Sequence, residues 1–376
     1  MNADATLQSL LDQVQGARAQ RTPLNITGGG TKSFYGGAVQ GQALDVRALR
    51  GISSYEPSEL VVTVRAGTPL LELEAVLAEQ GQCLPFEPPR FGSESTVGGM
   101  VAAGLAGPAR VSVGGVRDYV LGATLLSGRA ELLHFGGTVM KNVAGYDVSR
   151  ALAGSLGELG VICEVSLKVL PRPPATLTLR LEAEQASAIR RVNEWGGQPL
   201  PLNASAWWDG MLVLRLSGAV AAVQSARVKI GGEVIVEPLA GTFWTGLRDH
   251  RDEFFLGANK AVQAGATLWR LSVPATTPPL KLSGEQLLEW GGSQRWLCTS
   301  APAATLRDVA AAAGGHAVIF KGQDKRAGAF APLKAPLDRI QRELKAAFDP
   351  EGILNPGRLL PVLLPLPLPV PVQQTA

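Results

Sequence analysis

The residues best suited to chemistry form one loop, Gly28, Gly29, Gly30, Thr31, Lys32 and Ser33, and a second run, Ser95, Thr96, Val97, Gly98 and Gly99. Glycine lacks the Cβ that would hold a ligand away, so consecutive backbone N–H groups can converge on an anion. With a hydroxyl on either side of Lys32, the first loop has the make-up of a phosphate cradle; the alternative is a Gly-rich surface turn. Its spacing is neither GxxxxGK[ST] nor GxGxxG, which removes support for those two phosphate turns. Other side-chain chemistry is thin. His134, His250 and His316 lie far apart, as do Cys83, Cys163 and Cys298. They offer no metal-ligand spacing, acid–base pair or disulfide framework, and no catalytic residue is assigned. The cysteines sit in apolar contexts and read as small core residues in a reducing, cytosolic setting.

Strands and helices must hold those loops. The chain of 376 residues has room for two or three domains, and its 46% hydrophobic and 18% charged residues predict a large folded core. A formal charge of +3 is nearly balanced and gives no sign of an electrostatic nucleic-acid binder. Residues 5–18 place Leu7, Leu10, Leu11 and Val14 on one helical face, and residues 23–27 read as a strand entering the first loop. Strands are predicted at 43–49 and 59–67, joined by a polar turn, then a helix capped by Thr68 with Pro69 at its first position. Residues 95–107 read as a turn entering a short helix, residues 116–137 as a hairpin through SGRA, and residues 154–171 as a glycine turn and long strand. Composition then shifts after Pro171, Pro173 and Pro174. Residues 176–236 read strand, helix, strand, strand, helix, strand, and residues 243–321 as a second set with strands at TLWRLSVP, SQRWLCTS and HAVIFK and a helix at 303–313. That order suits an antiparallel sheet with helices on one face. Residues 338–360 read as an amphipathic helix followed by a proline-gated turn, and prolines break the apolar tail too often for a membrane helix.

Seven of these pieces, in order, resemble the FAD-binding domain of the p-cresol methylhydroxylase/vanillyl-alcohol oxidase superfamily: GGGTKS (28–33), ELVVTVRAGTPL (59–70), STVGGMVAAGLAG (95–107), VRDYVLGATLL (116–126), the GYD of 145–147, GSLGELGVICEVSLKVLP (154–171) and DPEGILNPGR (349–358). Within it, FEPPRFG, GGMVAAGLAGPAR, FGGTVMKNVAGYDVSR and EQLLEWGGSQRW are most similar to the smaller, FAD-binding E subunits of bacterial glycolate oxidases, over nearly the full length. The resemblance implies an α+β fold: a PCMH-type FAD-binding domain of two α+β subdomains (1–174), an α+β, ferredoxin-like cap (175–335), a C-terminal helix and turn returning to the FAD domain (336–360) and a Pro-rich tail (361–376). By family position the pyrophosphate falls to Gly28, Gly29, Gly30, Thr31, Lys32 and Ser33, with Ser95, Thr96, Gly98, Gly99 and Ala102 near the diphosphate and ribityl chain. Adenine and flavin backbone contacts fall to Gly157, Glu158, Gly160, Val161 and Ile162. Lys141, Asn142, Tyr146 and Asp147 either approach the flavin's polar edge or hold their loop by local hydrogen bonds. Asp118 reads as a turn cap or structural ion pair.

Covalent members of the superfamily tether flavin through His or Cys, and residues 28–37 and 92–115 contain neither, so dissociable FAD is expected. The histidine cluster of hydroxy-acid-oxidising relatives is also missing, which favours an FAD-binding subunit of a glycolate oxidase complex over a self-sufficient 2-hydroxy-acid oxidase or dehydrogenase. A scaffold that has lost FAD is disfavoured by the intact glycine series. The implied partners are a paralogous FAD subunit, an iron–sulfur subunit and a small 2-hydroxy acid, in the cytoplasm or peripherally at the inner face of the membrane through those partners. Trp207, Trp208, Trp244, Trp269, Trp290 and Trp296 read as cap core ahead of interface anchors.

Overall fold

The computed structural model describes residues 3–137 and 148–361. The helix Ala3–Gln20 buries Leu10, Val14 and Ala17 against a parallel pair of strands, Leu24–Thr27 and Gln42–Asp45. The chain end joins this layer, with Leu24 bridged to Leu354 and Asn355 N–H donating to the Leu24 carbonyl at 2.9 Å.

Beside it stands a five-stranded antiparallel sheet in the order Ile52–Glu56, Val61–Arg65, Val161–Lys168, Val120–Leu126, Leu132–Gly136. The central strand reads VICEVSLK and alternates along most of its length: Val165 and Leu167 enter the core, while Glu164 and Ser166 hydrogen-bond Ser53 and Thr63 of the two strands on one side of it. Leu70, Leu73 and Leu77 of the helix Leu70–Glu79, with Val97, Met100 and Val101 of the helix Val97–Ala103, close one face. Two local expectations change here. The polar turn expected between the two strands, including Glu56 and Pro57, is in part the strand Ile52–Glu56, its solvent-facing serines hiding the pattern. Thr68 does not cap the following helix; Pro69 occupies that position, and the Thr68 hydroxyl instead exchanges hydrogen bonds with the N–H and C=O of Gly51. Asp118 is a turn cap, accepting from Gly115 N–H at 2.8 Å.

Residues 175–321 build an eight-stranded antiparallel sheet. Its first half orders Glu233–Ile235, Ala175–Glu182, Met211–Gly218 and Leu202–Trp208, the 4-1-3-2 arrangement of a ferredoxin-like unit, with the helices Gln185–Gly196 and Val220–Ile230 packed on it. The second half, Gln286–Glu289, Gln294–Thr299, Thr267–Ser272 and His316–Lys321, repeats that order, and the halves join edge to edge at Ala206–Glu289 and Trp207–Leu288. Sequence periodicity did not reveal the short strand Gln286–Glu289 or the helices Leu239–Arg248 and Glu253–Gln263. In the second unit the first crossover helix is replaced by an irregular stretch. The guanidinium of the fully buried Arg295 holds it by donating to the carbonyls of Gly292, Pro278 and Thr277. Trp244, Trp269, Trp290 and Trp296 are buried in this domain and Trp207 and Trp208 half-buried, as core residues would be. The helix Leu337–Phe348 then returns to the five-stranded sheet through Leu344 and Phe348.

Candidate functional site

The two glycine runs meet in space. Together they wall a cleft of about 430 Å³ between the parallel strand pair and the five-stranded sheet. All of Gly28, Gly29, Gly30, Thr31, Lys32 and Ser33 line it, as do Ser95, Thr96, Gly98, Gly99 and Ala102 from the second run and Gly157, Gly160 and Ile162 from the third. The side chains of Glu158 and Val161 do not. Val161 and Ile162 are successive strand residues and point to opposite faces, so Val161 enters the core beside Leu126, Cys163 and Leu354. Glu158 turns the other way and accepts from the N–H groups of Leu359 at 2.7 Å and Leu360 at 3.1 Å; burial raises its pKa, and those bonds oppose the rise. Lys141, Asn142 and Tyr146, with Asp147, lie outside the described residues.

The glycines serve the protein's own packing as much as a ligand. A Cβ on Gly28 would lie 2.4 Å from Thr96 Oγ1, and one on Gly29 1.5 Å from the Glu94 carbonyl oxygen. The loops therefore press against each other, which sets the spacing of the cleft walls. Thr96 caps the helix Val97–Ala103 by accepting from Gly99 N–H at 3.3 Å.

Lys32 crosses between the two walls. Its Nζ donates to Ser95 Oγ at 2.8 Å and to the Arg90 carbonyl at 3.3 Å, and it faces Thr31 Oγ1 at 3.5 Å, all neutral oxygens. Burial lowers its pKa to about 8, with the Asp249 charge pulling upward. A half-buried ammonium on neutral partners favours an arriving anion, which would stabilise its charged form.

Sequence reasoning assigned no role to the residues that complete the cleft: Asn25, Ile26, Thr27, Val39, Val46, Ala103, Leu156, Asn355 and Arg358. The last two belong to NPGR. Asn355 Oδ1 accepts from Ile26 N–H at 2.7 Å while its amide donates to the Leu156 carbonyl at 2.6 Å, tying both walls to the chain end. Arg358, only 7% exposed, donates to the carbonyls of Ser33, Tyr35 and Gly37 and so fixes the far end of the first loop.

Above the loop, the cap packs through aromatic rings. Phe34 and Phe91 meet Phe320, at 5.5 and 6.1 Å between centroids. The His250 ring lies stacked on Phe255 at 3.5 Å and edge-on to Trp296 at 4.8 Å; burial, with Arg270 and Lys321 nearby, drives its pKa well below the usual value. Arg270 donates to the Tyr35 hydroxyl at 2.9 Å, and Trp290 Nε1 to the Gly107 carbonyl at 3.0 Å. The space among His250, Arg270, Glu289 and Trp296 is about 20 Å³, room for about one water. His134 and His316 are exposed on strands elsewhere, His134 paired with Thr124 at 3.0 Å.

Two α+β layers holding a glycine-walled cleft, with a cap over the phosphate-type loop, define a flavoprotein of the PCMH type, and residues 5–151 match the family model described as FAD binding domain. The chain is 49% identical over 352 residues to glycolate oxidase subunit GlcE of Escherichia coli (strain K12), covering 94% of this chain and 97% of that protein, and it belongs to that E-subunit family. It is also 33% identical to a D-lactate dehydrogenase of Anaerostipes hadrus, over 44% of this chain and 34% of that one, and 30% identical to glycolate oxidase subunit GlcD of Bacillus subtilis (strain 168), over 46% and 37%. An alkyldihydroxyacetonephosphate synthase structure shares the fold, with a TM-score of 0.63 at 16% identity over 94% of this chain and 76% of that one. Among the described residues, no helix is long and apolar enough to cross a membrane.

Proposed function

We propose that this chain is the FAD-binding subunit of a complex that oxidises glycolate to glyoxylate, with residues 1–174 and 336–360 as the FAD domain and 175–335 as the cap. The observation that carries this reading is the Lys32 ammonium, bonded to neutral oxygens between two glycine walls. Lys32, Thr31, Ser33, Ser95 and Thr96 would hold the diphosphate, and the backbone around Gly157, Gly160 and Ile162 the rest of the cofactor. When bound, FAD supplies the acceptance and onward transfer of electrons. Asn355 and Arg358 keep the walls in place while Ala102, Ala103 and Leu156 exclude water. Among the described residues, neither His nor Cys lines the cleft, in keeping with dissociable cofactor.

Oxidation of the hydroxy acid itself falls, on this reading, to a paralogous flavoprotein partner, with an iron–sulfur subunit taking electrons onward and the assembly in the cytoplasm or at the inner membrane face. The names of the E. coli and B. subtilis relatives describe subunits, which supports an assembly. His250, stacked on Phe255 at 3.5 Å and packed edge-on to Trp296, is enclosed by rings, which speaks against its serving as the base of a self-sufficient oxidase. The test is anaerobic mixing of the purified, FAD-loaded chain with glycolate or D-lactate. The flavin spectrum is expected to persist until partner subunits are added. Bleaching by the chain alone would overturn the reading, and yellow cofactor left in the protein pellet after denaturation would overturn dissociable binding.

A further inference from the structure

The helix Leu337–Phe348 carries one apolar stripe, and only half of it is covered. Leu337, Ile340, Leu344 and Phe348 follow one another at spacings of three and four residues, so they share a face. Leu344 and Phe348 pack on the core of the five-stranded sheet. Ile340 and Leu337, one and two turns earlier, are 51% and 56% exposed, and Leu333 just before the helix is exposed as well. The polar side of the helix is closed on itself, with Asp338 paired to Arg342 at 2.9 Å and Arg339 to Glu343 at 2.7 Å. Nothing in the electron-carrying role uses the uncovered end.

The chain end runs alongside this helix in the opposite direction. The Glu158 carbonyl accepts from Lys345 Nζ at 2.7 Å, and its carboxylate accepts from Leu359 N–H at 2.7 Å. Leu359 and Leu360 line one groove with Gln341, Leu344 and Lys345. Two residues after Leu359, the Pro361 carbonyl accepts from Arg342 Nη1 at 3.3 Å, about one turn nearer the helix N-terminus. The sequence that follows, VLLPLPLPVPV (362–372), is apolar and uncharged. Pro365, Pro367, Pro369 and Pro371 disfavour a helix there and favour an extended course. Leu337 lies about 7.5 Å along the helix from Arg342, a span that about three extended residues cover at about 3.1 Å each. Those three are Val362, Leu363 and Leu364, all apolar.

We propose that the chain's own tail, residues 362–368, lies over Leu337 and Ile340 and completes the cover of this helix. Tethering favours it over a second copy of the chain, because a segment attached a few residues away acts at an effective concentration of about millimolar. Two exposed side chains also fall far short of the roughly 800 Å² per partner that a stable dimer buries. Proline fixes φ before docking, so ordering this segment costs less than ordering an ordinary chain.

Photocrosslinking in the purified full chain tests this, with Leu337→p-benzoylphenylalanine as the probe and peptide mapping by mass spectrometry. Crosslinks within one chain to residues 362–368 are expected. Their yield should fall about tenfold or more when Leu363→Asp and Leu364→Asp are made together, since a charge there cannot be buried on the stripe. Those two substitutions leave the packed layers untouched, so the variant folds as the parent does. Crosslinks that join two chains, absence of any crosslink to residues 362–368, or an unchanged yield in the double variant would each overturn the proposal. Should the probe at Leu337 disturb the helix, the same probe at Ile340, read in the same way, decides. The readout needs neither turnover nor partner subunits, so it stands apart from the flavoprotein reading.

Discussion

Lys32 concentrates what a single residue contributes here. Its neighbours in sequence suggested an anion loop, but its bonds to Ser95 and to the Arg90 carbonyl come from residues far along the chain, where no local pattern could place them. Replacing it with Met should weaken FAD binding about tenfold or more, the size expected for losing a charge-assisted hydrogen bond. The pH dependence follows from the same residue. Burial holds the ammonium pKa at about 8, and a diphosphate beside it would raise it. Affinity is therefore full below about pH 8 and falls as pH rises toward the bound-state value. Fluorescence titrations of FAD from about pH 7 to about pH 9.5 should show that fall in the parent and a flat profile in Lys32→Met. A fall of equal size in both would remove Lys32 from the diphosphate site.

Among the elements, the C-terminal turn contributes most beyond its length. Arg358 supplies donors to three carbonyls of the first loop, and Asn355 pins Ile26 and Leu156. Truncating Arg358 to Met would leave those carbonyls unpaired in a dry setting, at a cost of roughly 2–5 kcal/mol. The urea midpoint should drop, and the FAD-to-protein ratio after gel filtration should fall with it; Arg358→Lys, which cannot reach all three oxygens, should lie between. Unchanged FAD retention in Arg358→Met would show that the loop keeps its shape without this clamp. The NPGR motif was visible in the sequence as a family piece, yet its target was not, because it acts on a loop more than 300 residues earlier. The strand Ile52–Glu56 escaped notice for the opposite reason: Ser53 and Ser54 on an edge strand look like a turn until the partner strand is known.

For the molecule as a whole, the cap's seat on the FAD domain stores a charge penalty. Glu289, 4% exposed, accepts from Trp296 Nε1 at 2.6 Å and Gln294 Nε2 at 3.0 Å, and burial pushes its pKa up to about 7 against those bonds. The folded protein thus holds this proton more tightly than the unfolded chain. Its contribution to stability is full below about pH 4.5, is lost as pH rises through about 7, and is level above that. Glu289→Gln keeps an acceptor for Trp296 and carries no charge. It should remove this slope and raise stability above pH 7 by up to about 3 kcal/mol, read from denaturant midpoints across that range. A midpoint that shifts equally at all pH values would mean that Glu289 ionises without penalty.

From its sequence alone the chain determined its flavoprotein fold and most of its cleft wall, because glycine runs, strand patterns and loop make-up are local properties set within a few residues. The ferredoxin-like order of 176–236 was legible for the same reason: alternating strand and helix periods survive without their partners. Tertiary structure alone decided that Val161 faces the core and Glu158 the chain end, that Asn355 and Arg358 complete the cleft, and that the cap doubles into one eight-stranded sheet. Each of these depends on which face a residue turns to a distant neighbour, and that is fixed only when the layers pack.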